Sequence, residues 1–171
     1  MSHKKKGKDK EAPPKADPKV QMFEDIIKSV KGLKNPEFTM EGVKFQIKKL
    51  SPIKGFNLFE KIRYEISRNA DSAEAEPDSP LLFYKAILTL NPDVIEGIRE
   101  DLFRNVSFRG NGVETGWMDL DGSEDMAFQE MEPLHVYELL IRCLAVNFSG
   151  SFHALISKFP GMKRLLSLLK Q

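Results

Sequence analysis

Three histidines, one cysteine and a short run of carboxylates are the side chains in this sequence best suited to bond-making or metal binding. His3, His135 and His153 stand far apart, and none has a second His or Cys at a ligand spacing; a structural zinc needs about four such ligands. The run Asp119, Asp121, Glu124, Asp125 suggests a calcium loop, which requires glycine at its sixth position and glutamate at its twelfth. Counted from Asp119 the sixth residue is Glu124, and counted so that Gly122 is sixth the twelfth is Phe128, so both registers fail. Carboxylates that complement the partial positive charge of a helix N-terminus are the better account. Gly110, Gly112 and Gly116 lack the dinucleotide-binding spacing and lead into no helix with a Lys-Ser or Lys-Thr pair, so they read as turn glycines. Cys143 lies within an apolar stretch, not beside a base, and no serine stands in a G-x-S-x-G elbow. The expectation is no catalytic residue, no metal and no cofactor.

The elements that would hold any site in place centre on residues 133–149, PLHVYELLIRCLAVNFS, where only His135, Glu138, Arg142 and Asn147 are charged or strongly polar. At about 3.6 residues per turn, His135, Glu138 and Arg142 share one narrow stripe. Leu134, Tyr137, Leu140, Ile141, Leu144, Val146 and Phe148 cover most of the remaining circumference. Such a helix is expected at the centre of the core, with its charged stripe solvated.

Upstream, Asp17-Pro18, Ser51-Pro52, Ser79-Pro80 and Asn91-Pro92 each set a capping residue before a proline in the first helical position. Helical apolar spacing follows each of them. The sets are Phe23, Ile26, Ile27 and Val30, stopping at Gly32; Ile53, Phe56, Phe59, Ile62 and Ile66; residues 81–90; and Val94, Ile95, Ile98 and Leu102. Residues 68–78, rich in Ala, Ser, Asp and Glu, read as an exposed linker. Between 38 and 48 the period becomes alternating, with Glu41-Gly42 as a two-residue turn, Phe38 opposite Phe45 and Met40 opposite Val43. A second hairpin is expected over 106–120, turning at Gly110-Asn111-Gly112 and returning along 117–120, with a short helix over 123–130 after it. The expected fold class is α+β: a mainly α-helical single domain over residues 17–171 with one or two small antiparallel β-hairpins.

Seven of the 26 basic residues but only three of the 25 acidic ones fall in residues 1–19, which leaves the rest with 19 against 22 and a formal net charge of −3. Residues 1–16 contain no Val, Ile, Leu, Phe, Tyr or Trp, and a segment with nothing to bury is expected to form a disordered basic tail. Its lysines could give a salt-dependent affinity for a nucleic-acid backbone. Without arginine or aromatic residues it suits solubility or tethering better, and nucleic acid is not the expected partner. No segment approaches the roughly 18 apolar residues of a membrane span and no apolar run follows the N-terminal charges, so a soluble intracellular protein is expected. One cysteine allows no intrachain disulfide. Beyond Pro160-Gly161, Met162, Leu165, Leu166 and Leu169 form an apolar stripe flanked by Lys163, Arg164 and Lys170. A helix of about nine residues is too short to stand alone, so the stripe docks either on its own core or on a partner helix. These four are the candidate partner-binding residues.

From Trp117 onward the order of features resembles the tail assembly chaperones of long-tailed bacteriophages. The features are Gly116-Trp117-Met118-Asp119-Leu120, a short acidic-aromatic helix with Asp125 and Phe128, the helix from Pro133 to Val146, and Asn147-Phe148 followed by Ser151-Phe152. The hairpin of residues 37–48 and Leu50-Ser51-Pro52 leading into a helix fit the same family, so the likeness spans about residues 35–158. The resemblance implies a non-enzymatic protein made in the host cytoplasm during virion morphogenesis. Such chaperones coat the helical tape measure protein, help recruit tail tube protein and are absent from the finished particle. Related proteins are often also made as a longer frameshifted form, and self-association is open to them. Two other readings are a structural tail or baseplate component retained in the virion, and a nucleic-acid accessory protein acting through the Lys-rich tail.

The tail supplies the first prediction. Limited proteolysis is expected to remove residues 1–16 and leave a folded core beginning near Asp17; protection of the Lys4 to Lys10 sites would contradict it.

Overall fold

A computed structural model describes residues 33–68 and 89–148, together with Gln21, Asp25, Ile26, residues 28–30 and Ile87. The expected basic tail, the linker beyond residue 68, most of the helices expected over 18–31 and 81–90, and all residues after Phe148 lie outside the described set. Of the first of those helices, Ile26 and Val30 are helical and buried, as their spacing requires.

Strands β1 (Glu37–Met40) and β2 (Val43–Ile47) form a hairpin with Phe38 opposite Phe45 and Met40 opposite Val43. Its turn residues Glu41 and Gly42 have φ of +44° and +81°. Two left-handed residues give a turn whose twist matches that of the strands. Helix α1 (Pro52–Arg68) and helix α2 (Pro92–Phe103) follow, the latter capped where Asn91 Oδ1 accepts from Asp93 N–H at 2.9 Å. Strand β3 (Val106–Arg109) then pairs antiparallel with β2, setting Phe45 opposite Phe108 and Ile47 opposite Val106. Strand β4 (Met118–Asp119) closes a four-stranded sheet of order β1-β2-β3-β4. The two expected hairpins are therefore halves of one sheet, joined by a pairing that α1 and α2 separate in sequence.

Two elements are shorter than their sequence pattern. The return strand covers only Met118–Asp119, and Leu120 continues it by one bond to Val106 O before turning into the core. Helix α3 is Glu124–Ala127, because Ser123 makes no side-chain cap and Phe128 leaves helical geometry at φ −101° and ψ 12°. That departure lets the Phe128 ring stack on Phe45 and Phe103, at 5.7 and 6.4 Å between centroids. Burial of aromatic faces outweighs the completion of one helical turn.

Helix α4 (Pro133–Phe148) packs against α1 and α2. Between Leu139 and Phe148 every residue but Arg142 is buried, whereas Leu134 and Tyr137 in its first turns are exposed. The apolar cover expected over the whole helix thus holds only for its C-terminal half. The expectation for its charged stripe is also corrected. His135, Glu138 and Arg142 are half-buried and face the β1–β2 hairpin: Arg142 pairs with Glu138 at 2.7 Å and lies 4.4 Å over the Phe38 ring, and His135 Nε2 is 3.6 Å from Glu41 Oε1. A guanidinium on an aromatic face keeps its charge compensated while its stem covers apolar surface.

Leu144 is only 1 % exposed. Its truncation to alanine is expected to cost about 2–5 kcal/mol, since the lost burial adds to a cavity that the packed helices cannot close. A urea melt reads the change directly, and a midpoint unchanged within error would place α4 at the periphery.

Candidate functional site

His3 and His153 lie outside the described residues, and several of the other residues singled out for chemistry serve the fold. Asp119 accepts a hydrogen bond from the buried Ser107 hydroxyl at 3.2 Å, while Glu124 and Asp125 occupy the first turn of α3. Among the described residues no three His, Cys, Asp or Glu side chains come together as a metal-binding group. Gly110 has φ of +125° and a Cβ there would lie 3.4 Å from the Val43 backbone, so it is a turn glycine where the loop approaches the first hairpin. Asn111 in that loop donates to the carbonyls of Met126 and Ala127, both at 3.2 Å, and so ties the loop to the end of α3. Cys143 is fully buried, and desolvation pushes its thiol well above the usual range, which leaves it protonated and unreactive. The candidate stripe of Met162, Leu165, Leu166 and Leu169 lies outside the described residues.

What the described surface offers instead is apolar side chains beside open grooves. Helix α1 was expected to bury the stripe Ile53, Phe56, Phe59, Ile62, Ile66, yet only its later part does so. Phe59 and Ile62 are buried, whereas Ile53 is 75 % exposed and Phe56 55 %. The first turns of α1 project past the core and form one wall of a groove of about 640 Å³, with Leu50, Phe59 and Phe148 behind them and Lys34 and Lys49 at its rim. Gly55 lies in the same wall, and a Cβ added there would meet only the Leu50 Cβ at an ordinary 3.9 Å. A helical glycine costs roughly 0.5–1 kcal/mol relative to alanine, and nothing in the described fold requires it.

A buried amide sets the far wall. Asn147 Oδ1 accepts the Leu50 N–H at 2.8 Å and Asn147 Nδ2 donates to the Cys143 carbonyl at 2.8 Å. The segment entering α1 is thereby fastened to the end of α4, which fixes Leu50 beside Phe148. The sequence marked Asn147 only as a polar interruption, and no spacing rule could have supplied its partner, which lies 97 residues away.

A second cleft, of about 490 Å³, runs between α2 and the start of α4, beside the exposed Tyr137. Its rim carries Glu96 and Arg99 in an ion pair. Hydrogen bonding to the partner lowers the Glu96 carboxyl pKa and raises that of the Arg99 guanidinium. This rim is charge-balanced, unlike that of the first groove.

Exposed apolar side chains set next to grooves are the kind of surface on which another polypeptide can dock. Residues 41–160, more than half of the 171-residue chain, match the sequence profile of the phage tail assembly chaperone protein family (TAC), and the chain belongs to that family. No curated protein and no solved structure matches it.

The Asn147 bridge generates a stability prediction. Asn147→Ala is expected to cost about 1–3 kcal/mol, because the Leu50 N–H is left unsatisfied where water has little access. Thermal or urea melting measures it, and an unchanged midpoint would show that the bridge contributes nothing.

Proposed function

We propose that this protein binds the tape measure protein during tail morphogenesis and helps bring tail tube subunits to it. It does so as a binding protein without catalysis, in the host cytoplasm, and is absent from the mature virion. The observation that carries this reading is the family match over residues 41–160, which includes the exposed Ile53, Phe56, Trp117, Met118, Met126, Leu134 and Tyr137. A long amphipathic helix awaiting its tube presents apolar surface that would otherwise aggregate. A small domain with several exposed apolar positions can cover such a surface in pieces, and release it without the large core-like interface of an obligate complex.

The stripe Met162, Leu165, Leu166 and Leu169 is proposed as one partner-binding face, and its cationic flanks Lys163, Arg164 and Lys170 suit a partner with acidic neighbours. Leu166→Glu is expected to leave the melting temperature nearly unchanged while abolishing capture of the co-expressed tape measure protein, since binding would have to desolvate an unpaired carboxylate. A large loss of stability, or normal capture, would exclude this face.

A further inference from the structure

We propose that the groove between the start of α1 and the end of α4 is a second docking site, distinct from the C-terminal stripe, and that it takes an amphipathic helical segment of another protein whose apolar stripe is flanked by carboxylates. The proposal rests on the binding role argued above and names a surface and a chemistry for it. The apolar requirement comes from the walls: Phe56 is 55 % exposed and lines the groove with Leu50, while Ile53 stands 75 % exposed on the same turn of α1. The room comes from Gly55, a helical glycine whose missing side chain the fold could accommodate, since a Cβ would meet only Leu50 at 3.9 Å. A side chain any longer than that of alanine would begin to fill the space an incoming residue needs.

The charge requirement comes from the rim. Lys34 and Lys49 line the groove, Lys54 follows Ile53 in the first turn of α1, and no carboxylate lines it. All three lysines are exposed, and none pairs with a carboxylate among the described residues. The first turn of α1 holds no acidic residue either, whereas those of α2 and α3 hold Asp93 and Glu124 with Asp125. Among the described residues the rim is therefore uncompensated positive charge around an apolar floor, which attracts a negatively flanked apolar stripe and repels a positive one.

The same argument disfavours three segments of this chain as the occupant. Residues 149–171 contain Lys158, Lys163, Arg164 and Lys170 and no acidic residue, and the N-terminal tail is dominated by lysine. The acidic stretch of residues 71–78 offers only Ala and Pro as apolar residues and has nothing large enough to fill the groove. Residues 17–32 set Glu24 and Asp25 beside Phe23, Ile26 and Ile27, and residues 81–90 follow the acidic stretch, but Ile26, Val30, Ile87 and Leu90 are already buried in the fold, so a foreign segment meets both requirements without giving up that burial.

The test uses the full chain and two fluorescein-labelled synthetic helices of about five turns, roughly 18 residues, identical in a leucine stripe and flanked in one by Glu and in the other by Lys. By anisotropy the Glu-flanked helix is expected to bind about tenfold or more tightly than the Lys-flanked one, with the advantage shrinking as salt is raised. Gly55→Leu, and separately the double charge reversal Lys34→Glu with Lys49→Glu, are expected to weaken its binding about tenfold without a large loss of melting temperature. Because Lys34 and Lys49 are exposed, the double variant keeps the test decisive if Gly55→Leu fails to fold. Equal binding of both helices, or wild-type binding by the double variant, overturns the proposal. So does displacement of the Glu-flanked helix by a synthetic peptide of residues 159–171, or a self-association in sedimentation that Lys49→Glu abolishes. Tape measure capture separates this proposal from the broader reading. Equal capture by wild type and by both groove variants overturns the groove alone, while failure of wild type to capture it, with Glu-selective peptide binding intact, supports the groove and overturns the tape measure assignment.

Discussion

A helix that buries every residue but one from Leu139 to Phe148 has to be enclosed, and the rest of the described fold is the enclosure of α4. Helices α1 and α2 pack on it directly. The sheet reaches it through polar chemistry as well as through apolar contact, because α4 carries two polar groups that the core has to satisfy. Arg142 is satisfied by Glu138 and by the face of Phe38, and Asn147 by the Leu50 N–H and the Cys143 carbonyl. Each contact pins a different part of the N-terminal half of the domain to the same helix: Arg142 the first hairpin, Asn147 the strand-to-helix connection. An apolar helix alone would specify that its neighbours be apolar. The two polar groups specify which neighbours they are, since a misplaced partner would leave a buried donor or charge unpaired.

The Asn147 contact also explains why a groove exists. Fastening Leu50 to the end of α4 fixes the point at which α1 begins, and α1 then runs with its first turn beyond the edge of the core. Ile53 and Phe56 belong by spacing to the same stripe as Phe59 and Ile62 but have no described element to cover them. Covering them would bury roughly one to two large side chains, each contributing about 1.5–3 kcal/mol, so their exposure costs solubility that a partner can recover. The lysines around them offset that cost in the free protein and select the sign of charge on whatever binds.

Much of the fold was legible because its signals are local. The Glu41-Gly42 turn set the Phe38–Phe45 register, Asn91-Pro92 began α2, and the apolar run of residues 139–148 announced a buried helix. The order Trp117, Asp125, Phe128 and the helix from Pro133 also carried the family, which the profile match over 41–160 establishes. Two of the failures share a cause. The short return strand and the four-residue α3 are elements whose local pattern yielded to a tertiary demand, the burial of Leu120 and of the Phe128 ring.

Sequence by itself determined the first hairpin, the starts of α1 and α2, the burial of the C-terminal half of α4 and the family, because turn residues, caps and periodicity act over a few residues and need no knowledge of neighbours. Only the tertiary structure decided that two hairpins are one sheet, since the β2–β3 pairing joins strands between which α1 and α2 lie in sequence. It likewise decided that a charged stripe faces a hairpin and that Asn147 bonds Leu50. The groove belongs to the same class: whether Phe56 is core or surface depends on where α4 ends, and that is a fact of packing between distant parts of the chain, on which the spacing within α1 is silent.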